Sequence, residues 1–332
     1  MLISFIVPHY NLPEFLLQRC IKSIVAQNIP VEDYEILIVD DGSHEPPMWI
    51  EKEFYQRNIR LILSKHGGLG ATRNVGLKEA NGKYIQFVDS DDCLISGSVS
   101  SSLEILRQEN PDILQHGYRI CLTEEDTLKT YTPAKSIATY NSGADYAAHN
   151  NLNGSACTYI FKRELTNAHN IYFAEGVMHE DEDFTLKIYY HSHKLICSNS
   201  PIYNYCIRKE SITSNTDNTH EQKRIKDIFL LLKRVVEFRF NEQETCTTLQ
   251  RKALNRKTAM LTVDTLLNLF YNGNSVEEIE KIQQKELAPL GLYPLSSTTH
   301  SIKYIIFRIL ANSHTGVKIL RTILPSRKPR KR

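Results

Sequence analysis

The first 120 residues alternate between short apolar runs and segments in which the apolar positions have helical spacing. A continuous apolar run is typical of a parallel strand buried on both faces. Such runs predict strands at Leu2–Val7, Glu35–Val39, Arg60–Leu63 and Tyr84–Val88. Apolar residues between positions 16 and 25 recur with a helical period, and Pro13 suits a first helical turn. Another helix is predicted from about Gly70 to Ala80, where Asn81-Gly82 ends it.

This βαβα order predicts an α/β fold with a doubly wound, mostly parallel sheet, whose ligands bind at the carboxyl ends of the strands. From about Leu122 to Ser214 the pattern is irregular, as expected of loops that complete a site. From about His220 the spacing becomes helical, and Ser275 to Glu278 read as a capping box that begins a further helix.

Composition predicts a soluble globular protein. The 332 residues (38.2 kDa) are 41% apolar and 23% charged, with a mean hydropathy of −0.34. No apolar stretch approaches the ~18 residues of a membrane-spanning helix. The amino-terminal run lacks basic residues and is interrupted by Pro8, so it predicts a first strand and not a signal peptide. Seven scattered cysteines without a Cys-x-x-Cys spacing indicate a reducing cytosol, with neither a disulfide framework nor a zinc site.

The charge is unevenly distributed along the chain. The formal net charge is +2, yet the last acidic residue is Glu286. Nine of the 40 Lys and Arg residues follow it, which leaves 31 of them against all 38 Asp and Glu residues in the preceding part. An acidic body with a basic tail predicts a polyanionic partner for the tail, either anionic lipid or nucleic acid.

Acidic residues follow two of the predicted strands. Asp40 and Asp41 end the second strand, and Asp89, Asp91 and Asp92 come directly after the fourth. Carboxylates gathered at one edge of a sheet repel each other unless a cation neutralises them. An Asp-x-Asp pair offers the hard oxygen ligands that Mg²⁺ or Mn²⁺ prefers, and substrate phosphates supply further ligands. The structural alternative is that Asp41 caps a helix and that the later aspartates form a solvated turn.

A glycine-rich segment, Lys65 to Asn74, opens the predicted helix after the third strand. Its backbone N–H groups would face a phosphate. The spacing fits neither a dinucleotide fingerprint after the first strand nor a Walker loop. Arg73, one turn into the helix, is placed to contact a diphosphate or a base, and the alternative is a surface salt bridge.

Four consecutive carboxylates, Glu180 to Asp183, precede the apolar Phe184. Acidic residues stabilise a helix N-terminus, and this effect is enough to explain the presence of most of these four carboxylates. The functional interpretation is that one of them is a general base, because a carboxylate crowded by carboxylates and apolar groups has a raised pKa.

Five motifs occur in order along the chain. They are Val7–Asn11, Val39–Ser43, Gly70–Leu77, Phe87–Asp92 and Glu180-Asp181. Together they resemble the family 2 glycosyltransferases of the GT-A fold, including bacterial cell-surface polysaccharide glycosyltransferases. The resemblance implies a GT-A nucleotide-diphospho-sugar transferase domain at residues 1–214. A helical C-terminal region at 215–332 lies outside it.

The resemblance also implies a role for each matching position. The donor-binding residues would be Pro8, Tyr10, Asp41, Arg73, Asp89, Ser90 and Arg208. Asp41 would hydrogen-bond the base, commonly uracil, Arg73 would lie near the base or diphosphate, and Asp89 would hold the ribose. Asp91 would ligate the Mn²⁺ or Mg²⁺ ion that bridges the diphosphate, and Arg208 belongs to a basic segment that often closes over it.

Asp181 matches the catalytic base of the family, with Glu180 as its neighbour. His179 replaces a frequent Tyr and would touch the acceptor or the donor, unless it is simply solvated. Cys206 and Glu210 depart from the pattern, which often has Arg and Gly there.

The implied reaction is a single displacement. Asp181 would deprotonate an acceptor hydroxyl, which attacks the anomeric carbon opposite the nucleotide and inverts its configuration. The metal and Arg208 would stabilise the leaving diphosphate. A double-displacement glycosidase would instead use two carboxylates that flank the bond, without a metal–diphosphate site. The expected partners are a UDP-sugar donor and a glycan or lipid-linked glycan acceptor.

The tail has two interpretations. Apolar stripes beside Lys and Arg residues between positions 302 and 324 predict a pair of basic interfacial helices. With residues 325–332 they would hold a cytoplasmic enzyme at the anionic inner face of the cytoplasmic membrane. The alternative is a helix hairpin packed on the body, with a disordered basic end.

Two other functions compete with glycosyl transfer. A nucleotidyltransferase that makes an activated sugar needs a glycine-rich loop with a basic residue near the first strand, and Pro8 to Asn11 offer none. A nucleic-acid-binding protein would use the basic tail with steep salt dependence. The acidic body and the lack of interleaved aromatic and basic residues argue against it, so no nucleic-acid partner is expected.

Overall fold

The computed structural model describes residues 1–54, 58–127, 137–208, 218–296 and 302–324, with the backbone alone for 218–221. The chain divides into two compact units. One comprises Met1–Tyr146 and Asn153–Ser214, and the other comprises Ala147–Leu152 and Asn215–Arg332. The assignment of a catalytic domain to 1–214 and of a membrane-associating region to 215–332 stays a prediction.

The described part of the first unit contains nine strands, all in one sheet. They are β1 (Ile3–His9), β2 (Tyr34–Asp40), β3 (Ile59–Leu63), β4 (Tyr84–Phe87), β5 (Cys93–Leu94), β6 (Ile113–Cys121), β7 (Ile137–Tyr140), β8 (Tyr159–Lys162) and β9 (Leu195–Cys206). The helices that begin in this unit are α1 (Glu14–Val25), α2 (Ile50–Glu53), α3 (Leu69–Glu79), α4 (Val99–Glu109), α5 (Glu124–Thr127), α6 (Gly143–His149), α7 (Glu164–His169) and α8 (Asp181–His191).

The strand order is β3-β2-β1-β4-β8-β6-β9-β5, and β7 also pairs with β9. Strands β1 to β4 pair in parallel, whereas β8 is antiparallel to both β4 and β6. The predicted doubly wound, mostly parallel α/β sheet is confirmed. The four predicted strands are present, with ends that differ by at most two residues.

The parallel strands form where the sequence is continuously apolar because both of their faces are covered. Every residue of β1 and of β2 is buried. Helix α3 packs on both strands, and Gly76 permits this close approach. A Cβ atom built at Gly76 would lie 2.3 Å from Cγ2 of Ile6.

The interpretation of residues 122–214 as irregular is wrong. This stretch supplies β7, β8 and β9 together with four helices. Short strands such as β8, with four residues, leave little periodicity to detect. In strand β9 apolar residues are mixed with buried Ser and Asn residues, and on the side away from β6 the strand changes partner from β7 to β5.

The second unit is helical, as predicted. Its described helices are α9 (Asn218–Glu242), α10 (Thr248–Tyr271), α11 (Val276–Ile282), α12 (Ile302–Ala311) and α13 (His314–Ile323). The predicted capping box is confirmed at α11, where Ser275 and Glu278 satisfy each other's backbone N–H groups. A second capping box, Thr247 with Gln250, begins α10.

Helices α12 and α13 pack against each other and leave isoleucines exposed. In α12 the buried residues are Tyr304, Phe307 and Ala311. Ile302, Ile306 and Ile309 are 53–77% exposed. In α13, Ile319 and Ile323 are likewise exposed. None of the helices in the described ranges combines the length and apolar character needed to cross a bilayer. Residues 325–332 lie outside the described residues.

The contact between Gly76 and Ile6 yields a stability test. Replacing an internal helical Gly by Ala normally stabilises a helix by about 0.5–1 kcal/mol. We expect Gly76→Ala to destabilise the protein by about 1–3 kcal/mol instead, because the new methyl group overpacks the core. Urea unfolding measures the change. Combining it with Ile6→Ala should recover part of the loss of Gly76→Ala as a favourable coupling, and strictly additive effects would contradict the packing argument.

Candidate active site

The carboxyl ends of β1, β2 and β4 meet at one edge of the sheet. Strand β2 lies on one side of β1 and β4 lies on the other, so the strand order reverses here. Open α/β sheets bind ligands in the crevice at such a reversal. Pro8 in β1 is paired with Val39, and the Asp41 N–H donates to the His9 carbonyl at 2.9 Å. The two acidic segments are therefore brought to one edge.

Asp41 is buried and is held by the glycine-rich segment. Its Oδ1 accepts the Gly67 N–H at 2.8 Å, and its Oδ2 accepts the Gly68 N–H at 2.9 Å. Nδ1 of His66 lies 2.9 Å from Oδ2, and the His66 ring stacks on exposed Tyr10 with centroids 4.4 Å apart. The expectation that these two glycine N–H groups face a phosphate is wrong, because Asp41 is the anion that they bind.

Arg73 is a buried cation with two carboxylate partners. Its side chain is 4% exposed, Nη1 donates to Glu180 Oε1 at 2.7 Å, and Nη2 donates to Asp89 Oδ1 at 2.9 Å. The rings of Phe87 and Phe173 lie 5.7 and 5.4 Å from the guanidinium carbon. Burial by itself lowers the pKa of Arg73, but Asp89 and Glu180 outweigh it and raise the pKa well above its ordinary value.

This position rules out the surface salt bridge considered for Arg73. The guanidinium joins the turn after β4 to the start of α8, 107 residues further along than Arg73 itself. Both Nη groups contact protein carboxylates, so Arg73 acts on the arrangement of the site in this structure. Burial raises the pKa of Glu180, and Arg73 opposes that shift.

Asp91 is paired with Arg208. Both Nε (2.9 Å) and Nη2 (2.5 Å) of Arg208 donate to the same oxygen, Asp91 Oδ2. Burial and the neighbouring Asp89 raise the pKa of Asp91, and Arg208 opposes this shift. Arg19 donates to the backbone carbonyl of Asp91 at 2.5 Å. Ser90, between the two aspartates, is buried.

Asp92 fastens the end of β9 to this turn. It accepts the Tyr203 hydroxyl at 2.6 Å and the Cys206 backbone N–H at 2.7 Å, and burial raises its pKa well above the usual range. The Cys93, Cys121 and Cys206 side chains form a buried cluster behind it. The hydrogen bond from Cys206 lowers the pKa of the Cys93 thiol.

Helix α8 begins at the predicted run of carboxylates. Asp183 is fully buried and pairs with Lys187 at 2.9 Å, so its role is structural. Asp181, the first residue of the helix, is half-buried. It lies close enough to Arg73 to contribute to the raised pKa of the Arg73 guanidinium. His179 is exposed, with a left-handed φ of 63°.

No group of three or more His, Cys, Asp or Glu residues in the described ranges is arranged to hold a metal ion. The carboxylates of Asp89 and Asp91 each pair with an arginine. They supply hard oxygen donors of the kind that Mg²⁺ and Mn²⁺ bind through one or two carboxylates together with substrate phosphates.

Sequence reasoning assigned no role to several residues of this site. Arg19 and Tyr203 belong to a helix and a strand whose apolar neighbours carry the pattern, so neither gave a signal. For His66 a clue was available, because the glycine-rich segment that contains it follows β3, and β3 pairs with β2.

Comparisons with known proteins agree with this geometry. A family model described as Glycosyl transferase family 2 matches residues 4–169, half of the chain. The uncharacterized glycosyltransferase EpsJ of Bacillus subtilis is 30% identical over 222 residues, which are 64% of this chain and 63% of EpsJ. The poly(ribitol-phosphate) β-N-acetylglucosaminyltransferase TarS of Staphylococcus aureus is 27% identical over 62% of this chain and 36% of TarS. The chain thus spans less than two thirds of these relatives.

Solved structures show the same fold. The crystal structure of S. aureus TarS 1-349 in complex with UDP covers 97% of this chain and 90% of that chain, with 21% identity and a TM-score of 0.67. The mannosyltransferase PcManGT from Pyrobaculum calidifontis, in complex with GDP-Man and Mn²⁺, has 14% identity and a TM-score of 0.55, over 97% and 87% of the two chains. The predicted GT-A fold is confirmed.

Substitution of Arg73 tests its place in the site. Arg73→Met would leave Asp89 and Glu180 without their cation, and we expect a loss of about 3–5 kcal/mol in unfolding free energy, measured with urea. Adding Glu180→Gln removes one of the two uncompensated charges and should restore part of that loss. A double variant no more stable than Arg73→Met would contradict the bridging role.

Proposed function

The chain belongs to glycosyltransferase family 2, and we propose that it transfers a sugar from a UDP-linked donor to a hydroxyl of a glycan or lipid-linked glycan in surface polysaccharide synthesis. The observation that carries the proposal is the reversal of strand order at β1, where Arg73 joins the acidic turn after β4 to the start of α8. Relatives named as poly(ribitol-phosphate) glycosyltransferases support the acceptor class, and TarS bound to UDP supports the donor. Family membership leaves the nucleotidyltransferase alternative without support.

The nucleoside would bind beside Asp41. A carboxylate has about four lone-pair sites, so Asp41 can accept a base N–H in addition to the two glycine N–H groups it holds. Pro8 would line this pocket, and the ring of Tyr10 would stack on the base. In this structure the His66 ring covers one face of the Tyr10 ring. Asp89, with Ser90 beside it, would hold the ribose.

Mn²⁺ or Mg²⁺ would be held by Asp91, next to Asp89. When bound, the ion would neutralise charge on the leaving diphosphate. The residues fit such an ion because hard carboxylate oxygens are present while the protein supplies few of the ligands, which leaves the remainder to phosphates and water. Asp92 is unsuited, since Tyr203 and the Cys206 N–H occupy its oxygens within the interior.

Asp181 would be the general base. Glu180 is buried and engaged by Arg73, whereas Asp181 is half-buried at the positive end of α8. The proton of the acceptor hydroxyl passes to Asp181 while the hydroxyl oxygen of the acceptor attacks the anomeric carbon from the face opposite the nucleotide. One displacement inverts the configuration, with Arg208 stabilising the departing diphosphate. His179, exposed just before α8, would contact the acceptor.

Helices α12 and α13 would hold the enzyme at the inner face of the cytoplasmic membrane. Tyr304, Phe307 and Ala311 face the protein interior, so the isoleucines on the opposite side are available to the acyl boundary. The cations of this region, which contains no acidic residue, favour anionic headgroups by roughly 1 kcal/mol each. A lipid-linked acceptor would be met at this surface.

The assignment of the base is tested by paired substitutions. Asp181→Asn should reduce transfer by at least about 10²-fold, because proton transfer is lost, while UDP binding in calorimetry stays as in the wild type. Asp91→Asn should lose both transfer and the metal dependence of UDP binding. Glu182→Gln, in the same turn of α8, is the control for helix charge. Wild-type transfer rates for Asp181→Asn would refute its role.

Flotation with vesicles tests the membrane surface. We expect the protein to float with phosphatidylglycerol-containing vesicles, less so at high salt, and not with phosphatidylcholine alone. Replacing Ile302, Ile306 and Ile309 by Ser should remove most binding, because their apolar insertion is lost. Ile120→Ser, an exposed isoleucine of β6, is the control. Salt-sensitive binding to duplex DNA without vesicle binding would contradict this proposal.

A further inference from the structure

Arg208 occupies an oxygen that the proposed function reserves for a metal ion. Two of its N–H groups converge on Asp91 Oδ2. A guanidinium and a divalent cation at one carboxylate oxygen exclude each other, because their charges are of the same sign. The contact therefore decides what else can bind at Asp91.

The three carboxylates after β4 differ in how firmly their partners are held. Asp89 is paired with Arg73, which is 4% exposed and lies against the rings of two phenylalanines. Asp92 is fixed within the interior by Tyr203. Asp91 differs because its partner cation is exposed as well: the side chains of Asp91 and Arg208 are 22% and 23% exposed, whereas Asp89 is 32% exposed but its partner Arg73 is buried. Arg208 can leave Asp91 without opening the core.

We propose that Arg208 is a resident counter-ion: without donor it holds Asp91 and excludes the divalent cation, and the donor's diphosphate draws it away so that cation and nucleotide bind together. This inference rests on the metal position given under the proposed function.

A diphosphate is a suitable partner for the displaced guanidinium. Its oxygens accept paired N–H donors from arginine, so Arg208 exchanges one anion for another while Asp91 gains the metal. Arg19 donates a hydrogen bond to the backbone carbonyl of Asp91 and keeps that backbone in place. The exchange of Arg208 for the metal ion therefore involves side chains alone. The consequence is a positive coupling between cation and nucleotide, equal in both directions.

The coupling can be measured without enzyme turnover. The electron paramagnetic resonance signal of free Mn²⁺ reports how much Mn²⁺ the protein binds, with and without UDP. For the wild type we expect Mn²⁺ affinity to rise at least about tenfold when UDP is present, within the usual range of coupling between sites. For Arg208→Gln we expect Mn²⁺ affinity without UDP to exceed that of the wild type by about tenfold. UDP should then raise it by a smaller factor than in the wild type, because phosphate coordination remains while the displacement of Arg208 is lost.

Two further variants separate exclusion from general effects of charge or folding. Arg208→Lys keeps a cation at the position and should restore exclusion of Mn²⁺. Arg107→Gln removes a positive charge from an exposed pair with Asp33, and it should behave as the wild type. A merely structural contact predicts no gain in Mn²⁺ affinity for Arg208→Gln.

Two results would overturn the inference. One is an Arg208→Gln variant that, without UDP, binds Mn²⁺ no more tightly than the wild type does. The other is a wild-type protein whose Mn²⁺ affinity is the same with and without UDP although UDP binds. If UDP does not bind at all, the proposed donor is wrong, and the comparison of Mn²⁺ binding without nucleotide still decides whether Arg208 excludes the cation.

Discussion

The buried ion pairs of Arg73 are the interaction on which the site depends. A cation removed from water is tolerable only where carboxylates surround it, and Asp89 and Glu180 do so at 2.9 and 2.7 Å. The same contacts hold the turn after β4 against the start of α8. The residues proposed for donor binding and for proton transfer therefore share one support, and Phe87 and Phe173 enclose it on the apolar side.

Around this support, every acidic residue of the edge has a partner suited to its position. Asp41 binds the N–H groups of Gly67 and Gly68, and the left-handed φ of 85° at Gly68 is one that favours glycine. Asp92 serves the fold, because it fastens the end of β9. Asp89 and Asp91 are both partly exposed in the described edge, but the arginine of Asp89 is buried whereas Arg208, the arginine of Asp91, is itself 23% exposed. The acids with buried partners thus maintain the fold, whereas Asp91 has the partner that we propose to exchange when the donor binds.

The sequence predicted the parts of the fold that depend on local pattern, and it did less well where distant segments meet. The runs that became β1 to β4 are continuously apolar, and their order places Asp41 and Asp91 at one edge. No local sequence pattern indicated that the Arg73 side chain would point inward to Glu180, or that Gly67 and Gly68 would bind a carboxylate. Both depend on contacts between segments far apart in the chain. Strand β9 escaped detection because its pairing changes along its length.

The cluster of Cys93, Cys121 and Cys206 lies directly behind this edge. Cys121 and Cys206 are register partners on adjacent strands, and the backbone of Cys206 holds Asp92. An alkylating reagent or a mercurial that reached these thiols would add bulk where none fits, and would push the end of β9 away from the turn. Chemical modification of these three buried thiols would thus perturb the edge of the sheet that carries Asp92 from its interior side.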